Sequence, residues 1–491
     1  MNSITPALVT LFLMGLGSVL SRHASRGESR SVGAALGGLA LVAAIASAFV
    51  DLQGSTNSAF GGLLLLDSAT DSMLPTLAAM GLGLVLGMPI NESGHRTVSQ
   101  SLGLPALALV SLLVNQLGTI VLLDILIAVV AIRATTPRAR LVQGLVRFIG
   151  IGFVVAGLLR LPFDQWFGPL GEAAAGIDGV AAMLMVIGVA LQIGVGPGSL
   201  ALRAAFCDGL TGRGILSALP FGGMALLLRV VGGAFSRSAS HGETHVALLA
   251  LFVCALLTAS MVLIQKSASH ALALLIATVN AVAMAGLIGS DLGASVGGEL
   301  LWAATLLAGT GLALALLALH ARHGRLPIVR FAGFYRDSRQ LGALVLFFAV
   351  ALGGLPGTLT FAAVDLVLHG DVSGHLDTLV IGAIAVAVTG YASVQLAFKL
   401  LFGPPAYDGR VDGMPLLGRE RWALLPMAIL LLVAGLFPSL IPVVRQAPWD
   451  ANEVHEHSTE HASMPKRAER LVVDLKLEMD HGAEDLEVGE R

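Results

Sequence analysis

The chain has 491 residues, 55% of them hydrophobic and only 12% charged, and a net charge of −3. Its mean hydropathy is +0.83. Ordinary soluble domains carry about 25% charged residues, so that class is excluded and a polytopic membrane protein is indicated.

Apolar runs near the ~20 residues that a bilayer requires predict about fourteen helices, at 4–21, 31–50, 73–90, 98–114, 117–132, 142–160, 179–202, 214–233, 246–264, 270–289, 296–320, 341–368, 377–402 and 421–443. The runs are continuous, rich in Ala, Leu and Gly, and lack two-residue alternation, which predicts an all-α fold rather than a barrel. The first run has no basic n-region and no A-x-A-like site, so it reads as a retained span. Arginines gather in loops after odd-numbered helices: Arg22, Arg26 and Arg30, then Arg133, Arg138 and Arg140, then Arg203 and Arg213, then Arg322, Arg325, Arg330, Arg336 and Arg339, then Arg410, Arg419 and Arg421. Loops after even-numbered helices are acidic instead, with Asp51, Asp67 and Asp71, then Asp164, Glu172 and Asp178, then Asp371 and Asp377. By the positive-inside rule this places both termini outside the cytoplasm. A multi-pass protein of the cell inner membrane, embedded in the lipid bilayer, is expected.

Two runs carry the same interruption. Gly194-Val-Gly-Pro197-Gly198-Ser199-Leu200 and Gly353-Gly-Leu-Pro356-Gly357-Thr358-Leu359 both read G-x-x-P-G-[S/T]-L. Proline removes a backbone donor and glycine permits unwinding, so both helices are expected to break near their middle. Broken helices at matching places in two halves mark a transporter.

Ionisable groups within spans are costly and are functional candidates by default. Asp124 lies inside the fifth predicted helix and Arg147 in the next, as a buried structural pair or a proton relay. Gln192 precedes Pro197 by five residues, where an unwound turn would gather it with Ser199 around water, or it is a polar group satisfied by a neighbouring helix; Gln itself cannot store a proton. Lys266 and His270 lie at i and i+4 near the start of the tenth helix, as a proton-transfer pair or as interfacial snorkelling. Asp365 lies beyond Pro356, close to His369 and Asp371, at the mouth of a half-channel or at a solvated helix end. Glu299, Gln395, Lys399 and Arg229 complete the candidate polar axis, with snorkelling the cheaper reading for Lys399 and Arg229 near helix ends.

The remaining composition adds little chemistry. Cys207 and Cys254 have no spacing for a disulfide framework or metal site, and no nucleotide-binding pattern stands out among 59 glycines. No cofactor, no metal and no nucleic-acid partner is expected. Most glycines fit close helix packing in lipid. Residues 445–491 form a polar tail with Glu453, His455, His457, Glu460 and His461, read mainly as a solvated linker. Within it, 471–479 has the pattern of a short amphipathic helix or an added strand on a partner.

These residues resemble the proton-conducting, antiporter-like membrane subunits of respiratory complex I, related hydrogenases and Mrp-type cation/proton antiporters, over most of the chain. Where that family has Lys, then Pro, then His in its seventh helix, this chain has Gln192, Pro197 and Ser199. Asp124 takes the position of a family glutamate. The stretch from Gly214 to Arg229 is similar to the family's eighth helix, without the central lysine, whose place falls near Gly222 or Gly223. In the twelfth helix Gly354, Pro356, Phe361 and Asp365 fit, while Val364 replaces an ionisable group. Tyr391 to Phe402-Gly403-Pro404-Pro405 is similar to the end of the thirteenth, and in the segment from Gln265 to Ala273 Ser267 and Ser269 replace Asp and Lys.

The resemblance implies two inverted five-helix repeats, at 98–233 and 246–402, each with a broken helix containing Pro197-Gly198 or Pro356-Gly357. Residues 1–97 then hold helices 1–3, and 421–443 helix 14. It implies other membrane subunits as partners and a proton or cation path. The lost lysines leave a shortened acidic path, another transported species, or a non-conducting structural or assembly role. A further reading is the membrane half of a proton-coupled inorganic carbon uptake system, which implies a soluble, zinc-containing partner.

Overall fold

A computed structural model describes residues 4–50, 57–60, 62–207, 209–329, 331–371, 376–403 and 415–446. Asp51, Arg330, Pro404, Pro405, Arg410 and the tail from 447 onward, with its His/Glu cluster and its 471–479 segment, lie outside the described residues.

Among the described residues, twelve helices are long and apolar enough to cross a membrane, and they fall on the first eleven predicted spans and the thirteenth. The span expected at 341–368 is instead two shorter helices, Arg339–Leu352 and Leu359–Asp371. The last one, Gly418–Leu436, opens on Arg419, Glu420 and Arg421. Its start is fixed by a largely buried ion pair of 2.6 Å from Arg322 to Glu420, whose carboxylate also accepts from the Leu417 N–H. A short antiparallel hairpin, Asn57–Ala59 with Leu64–Leu66, joins the second and third helices, which hydropathy alone does not foresee.

The most apolar 18-residue stretches of Ala268–Ile288 and Leu292–His323 are wholly buried among the other helices, the pattern of a core helix. The latter has 32 residues, hence ~48 Å against a hydrocarbon layer of ~30 Å, so it tilts or extends beyond that layer. Outer helices turn large apolar side chains outward, among them Phe12, Val42, Leu141 and Leu257. That surface is stable only against lipid or another subunit.

Both G-x-x-P-G-[S/T]-L stretches break their helices, and glycine supplies the left-handed backbone at each. Gly194 and Gly196 have φ of +92° and +54°, and Gly354 and Gly357 have +90° and +86°. The first broken helix runs Gly179–Ile193, a single 3-10 turn, then Ser199–Ala205. A third interruption lies in the span expected to be continuous at 214–233. Here Gly212–Ala218 stops before Pro220, the chain resumes as Gly222–Leu226, passes through one π turn at Leu227–Val231, and ends as Gly232–Ser238. Beside the first break, Gly150 and Gly188 let Pro137–Leu158 and Gly179–Ile193 cross backbone to backbone, and Gly150 packs on the Gln192 side chain.

Candidate ion path

An unwound turn in a membrane leaves carbonyls that must be satisfied inside the protein. In a regular helix the Ile193 carbonyl would accept from residue 197, which is proline and has no N–H. Asn280, from the enclosed helix Ala268–Ile288, donates to it instead at 2.7 Å. At the third interruption the Phe221 N–H turns to the Leu219 carbonyl, which frees the carbonyl of Ser217, and the Arg147 guanidinium takes it. The Trp302 indole N–H caps the Pro220 carbonyl at 3.0 Å. Gln143 donates to the Ala201 carbonyl at 3.2 Å and to the Ser217 hydroxyl at 3.3 Å.

One of these donors, Arg147, lies beside Asp124, which is 2% exposed. Its Oδ1 lies directly over Gly222, in the space that a β-carbon there would fill. Arg147 is close enough to act on it electrostatically, but no direct ion pair joins them, and one guanidinium nitrogen donates to the Ser217 carbonyl instead. Gln192 lies beside the carboxylate too, yet too loosely to close a hydrogen bond. Asp124 Oδ2, Gln192 Nε2, Arg147 Nε and Gln143 Oε1 are all buried without a hydrogen-bond partner. Native interiors hold few such atoms, and each costs about 1–3 kcal/mol, so those of Asp124 and of Gln192 and Arg147 beside it fit a site for water or an ion.

A second polar cluster lies seven residues beyond Gly222 along its span, about 10 Å at helical rise. Arg229 sits in the π turn, a distortion frequent at functional sites. Its side chain is 4% exposed and paired with Asp67, so it is a buried partner and not the snorkelling residue its place near a helix end suggested. Asp67 also caps Ser68–Gly87 by accepting from the Thr70 N–H at 2.9 Å. Glu299, 5% exposed, interacts with both. Glu299 Oε1, Arg229 Nε and Arg229 Nη2 are again buried without partners.

The second broken helix differs. Beside Gly353 and Gly354 lies a cavity of about 20 Å³ with Thr278, Thr360, Thr389 and Val364 in its lining and no titratable residue. That is room for about one water, but the wall is apolar.

No family model matches the chain. In sequence it is 22% identical over 384 residues to the NADH-quinone oxidoreductase subunit N of Hydrogenovibrio crunogenus, covering 73% of this chain and 75% of that protein. It is 31% identical over 120 residues to subunit M of Pseudomonas aeruginosa, covering 24% of this chain and 22% of that protein. Respiratory complex I from Thermus thermophilus contains a chain that superposes with a TM-score of 0.77 at 19% identity, over 89% of this chain and 98% of that one. The Mrp complex of Dietzia sp. gives 0.77 at 14%, over 90% and 96%. This chain has the antiporter-like subunit fold. An archaeal membrane-bound sulfane sulfur reductase holds a chain of the same kind, with a TM-score of 0.74 at 16% identity over 87% of this chain and 75% of that one. At these identities the structural likeness speaks for the fold alone.

Within this antiporter-like fold the other sequence candidates scatter. Ser199, buried at 9% exposure, follows the first break directly. Lys266 is exposed and lies off the helix, which starts at Ala268 after Ser267, so it shares no helical face with His270. The strand-like pairing of Ser267 with Pro327 holds it in the loop. His270 is half-buried near Arg203. Lys399 is half-buried, and its carbonyl accepts from the Ala332 N–H at 2.9 Å. Asp365 has 56% side-chain exposure and meets His369 at 3.2 Å on the outer face. It follows Val364, which lines the cavity, and one helical step of about 100° turns it away. Asn280, Gln143, Asp67 and Trp302 were not foreseen as site residues. Asn280 could have been found as the lone amide in a 21-residue apolar helix.

Proposed function

We propose that this chain is an antiporter-like membrane subunit of a larger proton-translocating assembly, with an acidic path in place of the lysine chain that the resemblance leads one to expect. The path centres on Asp124 and continues to the Glu299–Arg229–Asp67 cluster. The observation that carries this reading is the set of buried, unpartnered polar atoms around both carboxylates. Water chains through those atoms would carry protons between groups that bear or release them. The similar breaks, with positive-φ glycines beside Pro197 and Pro356, support two inverted repeats at 98–233 and 246–402, and the loop arginines support an inner-membrane setting with both termini outside the cytoplasm.

The assay is proton flux in liposomes holding the purified complex. Asp124→Asn should lower it strongly while the complex stays assembled, and unchanged flux removes Asp124 from the path. A non-conducting scaffold role is favoured by two observations: Arg147 serves the backbone, and the cavity at the second break has no titratable lining. Flux insensitive to substitution at both Asp124 and Glu299 would decide for it.

A further inference from the structure

On the arginine-rich face, away from the path, a cavity of about 540 Å³ opens between the first, fourth and fifth helices. Its lining brings together Arg22 from the last turn of the first, Arg96 from the first turn of the fourth and Arg133 from the last turn of the fifth. All three are exposed, and no hydrogen bond or ion pair engages their side chains among the described residues. The lining contains no carboxylate, while Ser99 and Gln100 add neutral polar groups and Leu107 an apolar wall. Three cations from separate helices repel one another and persist more readily with an anion to bridge them.

We infer that this cavity binds the phosphate headgroup of an anionic phospholipid. The arginines stand at helix ends, at the depth of a headgroup, and guanidinium groups bind phosphate oxygens in pairs. Leu107, three turns inside its helix, is where the attached acyl chain lies. A partner subunit's acidic segment would match the charge but not the apolar wall. Basic pockets between membrane helices recognise such lipids in general. The inference does not depend on whether the chain conducts.

The test uses the intact purified complex, delipidated in detergent and exchanged into nanodiscs of phosphatidylcholine with graded phosphatidylglycerol, with bound lipid counted by native mass spectrometry. Wild type should retain phosphatidylglycerol selectively. The combined variant Arg22→Gln, Arg96→Gln, Arg133→Gln should bind it roughly a hundredfold more weakly, whereas the corresponding triple lysine variant, which keeps the charge but not the paired hydrogen bonds, should fall between the two. Leu107→Trp fills the apolar part with the arginines intact and should also lose the lipid, which covers the case in which the glutamine variant fails to fold. Equal retention in the folded glutamine variant overturns the proposal. So does protection of these arginines from a guanidine-modifying reagent by inorganic phosphate alone as well as by the lipid, or a cross-link from them to an acidic partner segment.

Discussion

Gly222→Ala is the substitution whose outcome the structure fixes most tightly. The new methyl group would occupy the position of Asp124 Oδ1, with the Asp124 Cγ and Cα close behind it at 3.3 and 3.5 Å. The carboxylate must therefore move, and overfilling a packed interior costs about 1–3 kcal/mol. Alanine returns about 0.5–1 kcal/mol of helix preference over glycine, so the single variant should lose up to about 2.5 kcal/mol. In an Asp124→Ala background the obstructing carboxylate is gone, and Gly222→Ala should then be neutral or stabilising. The coupling between the two sites is thus about 1–3 kcal/mol, readable from unfolding of the four proteins of the cycle in detergent. Proton flux of Gly222→Ala should fall as well, because the carboxylate is driven from its place beside Gln192. Additivity within about 0.5 kcal/mol would refute the placement of Asp124 against Gly222.

Three further outcomes are expected. Asn280→Leu strands the Ile193 carbonyl, worth about 1–3 kcal/mol, but also removes its own unpartnered Oδ1. The net loss should be about 1 kcal/mol, with faster hydrogen exchange near 190–198, and unchanged exchange there would count against the cap. Glu299→Gln takes away a buried carboxyl near Asp67 while the Arg229–Asp67 pair survives, so it should not lower thermal stability, yet should lower flux. At the start of the first broken helix, hydrogen bonding from Arg160, then from the Ala181 N–H, holds the Asp178 carboxyl below the usual carboxylate range. A depressed carboxylate stabilises above its ordinary value of ~3.9 and loses that effect as pH falls through the lowered one. The small advantage of wild type over Asp178→Asn, which keeps a capping side chain, should hold at pH 7 and close below about pH 4.

Much of the fold was legible because membrane helices announce themselves by length and hydropathy, and the two breaks because proline and glycine act locally. The interruption at Pro220 obeyed the same local rule but lay inside an otherwise even apolar run, and was read as continuous. What satisfies the breaks was not legible: Asn280, Arg147 and Trp302 reach carbonyls far along the chain, and nothing in local sequence names such partners. Asp124 stands out in sequence as a charge in an apolar run, and the structure buries it against Gly222. Asp365 was found by the same signal and lies on the outer face, since hydropathy registers a charge without fixing the phase at which its helix is turned.

The caps also constrain how the protein is made. Ile193 emerges 87 residues before Asn280, and the Pro220 carbonyl 82 residues before Trp302. During synthesis the N-terminal half is therefore inserted with its exposed backbone unsealed, and is completed only when the two enclosed helices arrive. Truncation after the first broken helix should give an aggregation-prone fragment, because the donor that seals its open turn lies in a later helix.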